Sequence, residues 1–200
     1  MLSELRRLMI ENNIDWFIVF SQDMHLSEYT SECDRYLAAL TGFTGSAGTL
    51  VAGCDEAYLW TDSRYYVQAE GQLKGSGISL KKYGLPKVES VEDFISTHVW
   101  EGQRIAFDHS TISFDHYKEL SRRLPKSVEI VDDAGILKGS ITDMPKRSFN
   151  EIVSVPDERS GKYTGDKIKK LRERIRKNYI PEDSYTYILS DLTSILLLFE

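Results

Sequence analysis

Five consecutive apolar residues, Trp16 to Phe20, place the strongest constraint on how this chain can fold. A strand with one face in solvent alternates apolar and polar residues, whereas an unbroken apolar run is typical of a strand that is buried on both faces. A sheet that contains such a strand must be covered by helices, because its apolar faces need partners. The run therefore predicts an α/β domain built in layers.

The sequence up to residue 143 supplies the other strands of this sheet. Two short runs, 49–52 and 57–61, flank the turn Gly53-Cys-Asp-Glu56 and predict a hairpin. From residue 78 onward, the pattern alternates strand, helix, strand, helix and strand. An early hairpin followed by this alternation predicts a mixed β-sheet covered by helices, and residues 1–143 are predicted to form this first domain.

Polar residues mark the predicted starts of the helices. A serine hydroxyl or an aspartate carboxylate can accept the free amide hydrogens of a first helical turn. The helix after Asp62 is predicted to run from residue 63 to about residue 73. Four residues stand just before helical patterns and are predicted to cap them: Ser3, Asp62, Ser90 and Ser113.

The remainder of the chain predicts a linker and an interrupted second domain. Residues 144–161 are polar, hold two prolines and lack sustained periodicity, as is typical of a linker. Beyond them, the pattern predicts a helix over 166–177, a strand over 185–189 and a helix from Asp191 to the end. These elements cannot bury their apolar faces alone, so residues 162–200 are predicted to be a truncated second α/β domain. Docking of this tail onto the first domain is the alternative.

Composition limits the class and the location of the protein. The chain has 200 residues, of which 41% are hydrophobic and 28% are charged, which excludes the disordered and collagen-like classes. Its two cysteines, Cys33 and Cys54, are too few for a secreted disulfide scaffold and fit a reducing cytoplasm. No signal peptide and no apolar run of about 18 residues is found, so a cytoplasmic location without a membrane partner is expected.

The distribution of charge bears on nucleic-acid binding. Residues 1–144 carry 14 basic and 22 acidic side chains, which argues against a nucleic-acid partner. Residues 145–182 carry 11 basic and 6 acidic side chains, and most of these cations lie in the helix predicted over 166–177. The cations flank an apolar stripe and have no interleaved aromatic residues. A solvated outer face is therefore the preferred interpretation, and contact with phosphates is the alternative.

Residue types that often carry chemistry do not form a complete centre here. The glycines of the turn 42–48 lead into a strand rather than a helix, so they predict a tight structural turn and not a phosphate loop. The adjacent residues in Asp108-His109 and in Asp115-His116 point in different directions, whereas a metal needs three or more converging ligands. The residues by themselves therefore predict an α/β domain with neither a catalytic nor a metal site.

One ordered set of short motifs is more specific than any of these features. It consists of His25-Leu-Ser-Glu-Tyr29, Cys33-Asp-Arg35, Gly42-Phe-Thr-Gly-Ser-Ala-Gly48, Leu59-Trp-Thr-Asp-Ser-Arg-Tyr65 and Gln68-Ala69. The set resembles the amino-terminal domain of the Xaa-Pro aminopeptidases (aminopeptidase P), which belong to the creatinase/prolidase-like metallopeptidases. Later, Tyr163-Thr-Gly165 and Leu189-Ser-Asp-Leu192 resemble the start of that family's second domain. The resemblance implies the ribonuclease H-like fold of the creatinase/prolidase N-terminal domain.

For catalysis, the resemblance implies that the chemistry lies in another part of the family's longer chains. Their carboxy-terminal domain binds two divalent metal ions, usually manganese, through two Asp, one His and two Glu, and a metal-bound hydroxide attacks the peptide bond before proline. None of those motifs is found in these 200 residues, so no catalytic residue, metal ligand or cofactor is assigned to this chain. The chain alone is expected to be inactive, with its catalytic domain missing.

The resemblance also implies partners. Amino-terminal domains of the family build the oligomer and wall off the substrate cleft. The expected partners are the chain's own carboxy-terminal catalytic domain, further copies in a homo-oligomer and a proline-containing peptide. Charged and aromatic side chains suit such contacts, and the candidates are Asp34, Arg35, Arg64 and Tyr65.

Two alternatives stay open beside these expectations. At the level of residues, Asp62 can cap its helix while Arg64 forms only a local salt bridge. At the level of function, the chain can be a free-standing, non-catalytic binding or assembly module that uses the same fold.

Overall fold

The computed structural model of this protein describes residues 1–151, 153, 156–178, 186–190, 194, 195 and 198. The chain divides into two compact units, Met1–Arg147 and Ser148–Glu200. The strands of the first unit are β1 (Trp16–Phe20), β2 (Thr49–Gly53), β3 (Ala57–Thr61), β4 (Ser79–Lys82), β5 (Arg104–Phe107) and β6 (Glu129–Asp132). Its helices are α1 (Leu2–Glu11), α2 (Tyr36–Thr41), α3 (Tyr66–Gln72), α4 (Val91–His98), α5 (Phe114–Arg123) and α6 (Ala134–Gly139), with 3₁₀ turns at Glu32–Asp34 and His109–Thr111.

The strands of the first unit form one mixed sheet in the order β4-β3-β2-β1-β5-β6. β2 is antiparallel to both of its neighbours, β1 and β3, and the remaining pairings are parallel. The predicted mixed sheet and the predicted hairpin are therefore confirmed. β1 lies inside the sheet, where Ile18 is opposite Val51 of β2 and Trp16 is opposite Ile105 of β5.

Helices cover both faces of the sheet, which explains the unbroken apolar run of β1. Phe17 and Val19 belong to a core shared with α1, α2, α3 and α6, whereas Trp16, Ile18 and Phe20 belong to a core shared with α4 and α5. All five side chains are buried. Successive side chains of a strand point to opposite faces, so both faces of β1 contribute to a core.

The helices predicted after Ser90 and Ser113 are confirmed together with their caps. The Ser90 hydroxyl accepts a hydrogen bond from the backbone N–H of Asp93 at 3.0 Å, at the start of α4. The Ser113 hydroxyl accepts one from the backbone N–H of His116 at 3.2 Å, at the start of α5. Both hydroxyls satisfy a donor that the first helical turn leaves without an intrahelical partner.

Two details of the predicted helices are wrong. Ser3 does not cap α1, because this helix begins at Leu2 and Met1 occupies the cap position without a side-chain hydrogen bond. The helix α6 was not predicted at all. Its start is capped by the Asp133 carboxylate, which accepts a hydrogen bond from the backbone N–H of Ile136 at 2.8 Å.

Among its described residues, the second unit contains α7 (Asp157–Ser160) and α8 (Thr164–Asn178). The helix α8 includes the predicted helix over 166–177, whereas α7 lies in the segment predicted to be a linker. The domain bounds 1–143, 144–161 and 162–200 stay predictions. None of the helices in the described part of the chain has the length and the apolar content needed to cross a membrane.

The strand predicted over 185–189 is wrong in its described residues, and most of the helix predicted from Asp191 lies outside the described residues. Tyr185 is not described, and residues 186–190 belong to no helix or strand. Asp191 is not described either. Ser194, Ile195 and Leu198 are helical, as predicted for the end of the chain.

Candidate functional site

The carboxyl ends of five strands lie at one edge of the sheet, because β2 alone runs in the opposite direction. The loops that leave β1 and β3 and the turn that enters β2 meet at this edge. They contain most of the motif set described above, in residues 25–35, 42–48 and 62–65. In open α/β sheets, ligands bind in crevices outside the carboxyl ends of the strands. This edge is therefore the candidate functional site.

The main cleft at this edge has a volume of about 540 Å³ and lies at the ends of β1 and β3. Phe20 and Trp60 contribute apolar surface from these two strands, and hydroxyl-bearing residues of the neighbouring loops contribute polar groups. Two hydrogen-bonded pairs also line it, Asp62 with Arg64 and Glu92 with His116. A cleft of this kind can hold a ligand that has both apolar and polar parts.

The first pair is local. The Asp62 carboxylate accepts hydrogen bonds from the Arg64 backbone N–H at 3.0 Å, from Nε at 3.0 Å and from Nη2 at 2.7 Å. The guanidinium of Arg64 holds the pKa of Asp62 below its ordinary value. The local salt bridge considered for Arg64 is thus present. Asp62 does not cap α3, however, because this helix begins at Tyr66, and Asp62 instead closes the turn that precedes it.

The second pair, Glu92 with His116, joins two helices. Glu92 lies in the first turn of α4, and its carboxylate Oε1 is 2.8 Å from His116 Nε2 on α5. The hydrogen bond from His116 lowers the pKa of Glu92 from 4.5 to about 2. The His116 ring packs edge-on against Phe20, with ring centroids 5.6 Å apart. In the sequence, His116 stands next to Asp115, and no pattern indicates Glu92 as its partner.

A smaller cavity of about 280 Å³, here called the glycine-turn cavity, is lined by Arg35, Thr44, Ser46 and Tyr65. The hydroxyl groups of Tyr65 and Ser46 are 2.7 Å apart, and Arg35 Nη2 donates to the carbonyl of Thr44 at 2.9 Å. Ser46 also lines the main cleft, so the two cavities are adjacent. The structure therefore brings two of the predicted site residues, Arg35 and Tyr65, into one cavity.

The surroundings of Gly45 leave no space for a side chain at this position. A Cβ built on Gly45 would lie 2.3 Å from the Phe43 ring and 2.9 Å from the Tyr65 ring. These rings pack edge-to-face with centroids 5.8 Å apart, and Phe43 is fully buried. The aromatic pair occupies the space that a side chain would require. The glycines lead into the strand β2 as expected, and the reason for a glycine at position 45 is close approach.

The four predicted site residues do not all meet. Arg64 lines the main cleft, and its guanidinium lies 5.2 Å from the centre of the Tyr65 ring. Asp34, in contrast, lines a third cavity of about 310 Å³, here called the Asp34 cavity, where it pairs with Arg147 at 2.7 Å. Arg35, Arg64 and Tyr65 thus form one neighbourhood, and Asp34 faces another.

The histidines and carboxylates of the described residues do not supply a metal centre. No three His, Cys, Asp or Glu side chains in that part of the chain are close enough together to hold a metal ion. Asp108 instead caps the 3₁₀ turn by accepting a hydrogen bond from Ser110 N at 2.9 Å, as expected for turn hydrogen bonding. The His109 ring packs against Phe107 and Tyr117. The described residues therefore do not supply the ligands that a pair of metal ions needs.

Comparison with known proteins defines the class of this protein. The family model described as the Creatinase/Prolidase N-terminal domain matches residues 1–139. The chain belongs to this family. The resemblance found in the sequence and the predicted fold class are both confirmed.

Longer relatives match beyond this domain. A probable Xaa-Pro aminopeptidase P of Coprinopsis cinerea is 36% identical over 201 residues, which cover 99% of this chain and 32% of the relative. A second, from Laccaria bicolor, is 36% identical over 88% of this chain and 28% of its own length. The chain thus spans about a third of the length of these curated relatives.

Solved structures agree with this assignment. The X-prolyl aminopeptidase of Caenorhabditis elegans, described as a cytosolic enzyme with a di-nuclear active site, is 28% identical and superimposes with a TM-score of 0.84. The match covers 98% of this chain and 33% of the nematode protein. Aminopeptidase P of Streptococcus thermophilus, 18% identical with a TM-score of 0.51 over 70% of this chain, shares the fold.

Proposed function

We propose that this chain is the amino-terminal part of an Xaa-Pro aminopeptidase, a metallopeptidase that removes the first residue of peptides whose second residue is proline. The observation that carries the proposal is the match of 99% of the chain to 32% of an Xaa-Pro aminopeptidase P at 36% identity. The nematode structure, matched over 98% of this chain, supports the same activity and a cytoplasmic location.

In this proposal, the first unit does not cleave the peptide bond. The described residues offer no set of metal ligands, so a catalytic metal pair, with manganese as the expected ion, belongs to a carboxy-terminal catalytic domain. Two metal ions would act there as Lewis acids and as the source of the nucleophile. The isolated 200-residue chain is then inactive.

The proposed role of the first unit is to form one wall of the substrate cleft and part of a subunit contact in a homo-oligomer. The main cleft and the glycine-turn cavity support this role, because they place Arg35, Arg64 and Tyr65 around adjoining concave surfaces. The Arg64 side chain is 58% exposed although it pairs with Asp62, so its remaining donors are accessible to a peptide carbonyl or carboxylate. Tyr65 adds a hydroxyl and an aromatic face.

The contact role can be tested in the full-length protein that the proposal requires. We expect Arg64→Gln to raise KM for an Xaa-Pro peptide by about tenfold with kcat nearly unchanged, or to shift the oligomer to smaller mass in light scattering. Arg122→Gln is the matched control, because Arg122 is an exposed arginine paired only with Glu119 on the same helix. Wild-type KM and mass in Arg64→Gln, Arg35→Gln and Tyr65→Phe together would exclude the role.

The absence of activity in the 200-residue chain has a separate test. The purified chain, supplied with manganese and an Xaa-Pro peptide, should release no amino-terminal residue. Release of that residue would contradict the assignment of the metal centre to another domain. An immunoblot of the source cells distinguishes the alternative, since a free-standing module would run at the size of this chain and an aminopeptidase at about three times that size.

A further inference from the structure

The Asp34 cavity holds the guanidinium group of an arginine side chain from the same chain. Arg147, the last residue of the first unit, places Nη2 at 2.7 Å from both Asp34 Oδ1 and Asp34 Oδ2. We propose that this cavity is a binding site for a guanidinium group, and that Arg147 occupies it and so holds the segment that leaves the first unit. This inference is independent of the proposed peptidase activity.

The Asp34 carboxylate is set into the fold, and the arginine reaches it from outside. The side chain of Asp34 is 16% exposed and that of Arg147 is 43% exposed. Among the ion pairs of the described residues, Asp34 is the least exposed carboxylate. Cys33 Sγ also lies 3.6 Å from Asp34 Oδ2. An acid in this position loses part of its hydration, which makes an ionic partner more valuable than at an open surface.

The charge of the cavity favours a cation. Three carboxylates line it, from Asp23, Asp34 and Asp108, together with the ammonium of Lys138 and the guanidinium of Arg147. Burial opposes the charge of Asp23, but the backbone N–H groups of Ser27 and His25 keep its pKa below the ordinary value. Without Arg147, the cavity would hold three carboxylates and one ammonium. A net negative charge would then remain in a partly enclosed space of about 310 Å³.

Two of the three carboxylates are held in place by groups other than Arg147, and the backbone of the third, Asp34, is fixed by the 3₁₀ turn Glu32–Asp34. Asp108 accepts hydrogen bonds from Ser110 N at 2.9 Å and from Ser110 Oγ at 2.5 Å. Asp23 accepts two backbone N–H bonds at 3.0 Å each. A site whose ligands are fixed by their own loops keeps its shape when the occupant is removed. Arg147 contacts both oxygens of Asp34 through one nitrogen, Nη2, and a guanidinium is more weakly hydrated than an ammonium, so it enters a partly enclosed cavity at a lower cost in hydration.

The segment that carries Arg147 is guided to the cavity by apolar contacts. Ile141 is buried and Met144 packs against the core that includes α1 and α6. Pro145 follows and restricts the backbone. The ion pair thus fixes the last residue of the first unit. Its loss should free residues 142–147 while leaving the sheet intact.

The test uses the 200-residue chain with Arg147→Ala and methylguanidinium as the probe. We expect the backbone of residues 142–147 to become more mobile in the variant, as measured by ¹⁵N relaxation of the amides on both sides of Pro145, with unchanged relaxation in β1 and β5. Methylguanidinium should then bind the variant at least about tenfold more tightly than the wild-type chain, as followed by NMR shifts of the Cys33 and Asp34 amides. The probe is kept at millimolar concentrations, where guanidinium does not unfold proteins.

Three controls make the outcome decisive. Arg122→Ala removes an exposed arginine elsewhere and should create no site. The double variant Asp34→Asn/Arg147→Ala should lose binding, and methylammonium should bind more weakly than methylguanidinium. Equal binding of the two probes, equal binding to wild type and Arg147→Ala, or unchanged ¹⁵N relaxation of residues 142–147 would each overturn the proposal.

Discussion

At the scale of single residues, the Glu92–His116 hydrogen bond makes the stability of the first unit depend on pH. The pKa of Glu92 is lowered from 4.5 to about 2 by its hydrogen bond with His116. A group whose pKa is lower in the folded state stabilises that state above its unfolded pKa, and the stabilisation is lost as the pH falls towards the folded value. The contribution of Glu92 should therefore be complete above about pH 4.5 and disappear towards pH 2.

Glu92→Gln tests this dependence. Near neutral pH, the variant should be less stable than wild type by about 2 kcal/mol, once solvent screening of a partly exposed pair is allowed for. The difference should shrink as the pH falls from about 4.5 to about 2. Urea unfolding followed by tryptophan fluorescence is suitable, because all 3 tryptophans lie in the first unit. Glu101→Gln, at an exposed glutamate that forms no ion pair among the described residues, is the control. A difference that stays constant with pH would refute this cause.

The separation of two residues along the sequence decides whether their contact at the site could be predicted. The Asp62–Arg64 pair joins residues two apart, and a local salt bridge was among the interpretations of the sequence. Asp34 and Arg147 are separated by 113 positions, and Glu92 and His116 by 24. Only the order of strands in the sheet brings these side chains together. The motif resemblance supplied candidate site residues, but it could not supply the partners of their charged groups.

At the scale of elements, helix capping gives a direct contrast between a confirmed and a wrong prediction. Ser113→Ala should cost about 1 kcal/mol, because its hydroxyl accepts a hydrogen bond from the first turn of α5. Ser3→Ala should change the stability by less than about 0.5 kcal/mol, because Ser3 is an exposed residue inside α1. Thermal or urea unfolding of both variants checks the difference. Equal losses would show that the Ser113 hydroxyl contributes nothing as a cap.

The elements that the sequence could and could not predict differ in the length and type of their patterns. The apolar run of β1 is unambiguous, since five buried residues in succession fit a strand covered on both faces. The helix α6 has six residues and two of them are glycines, so it is too short and too weak a helix former for its periodicity to stand out. It forms because Asp133 caps it and because Ile136 and Leu137 enter the core.

At the scale of the whole molecule, the buried apolar residues of the two cores define what must stay together for folding. Every member of both core clusters lies in Met1–Arg147. A chain that ends after Glu151 therefore keeps the complete sheet, both cores and the Arg147 ion pair. We expect this shortened chain to unfold cooperatively in urea, with a midpoint close to that of the 200-residue chain.

The matched comparison is a chain that ends after Asp133. This chain loses α6 and also Ile141, a buried core residue that comes after α6. This second truncation removes three buried apolar side chains, Ile136, Leu137 and Ile141. Their burial contributes at least about 4 kcal/mol, which approaches the whole stability of a small domain. Cooperative unfolding should survive the first truncation and be lost or strongly weakened in the second. Loss of the cooperative transition already in the chain that ends after Glu151 would mean that the first unit depends for its folding on residues beyond 151.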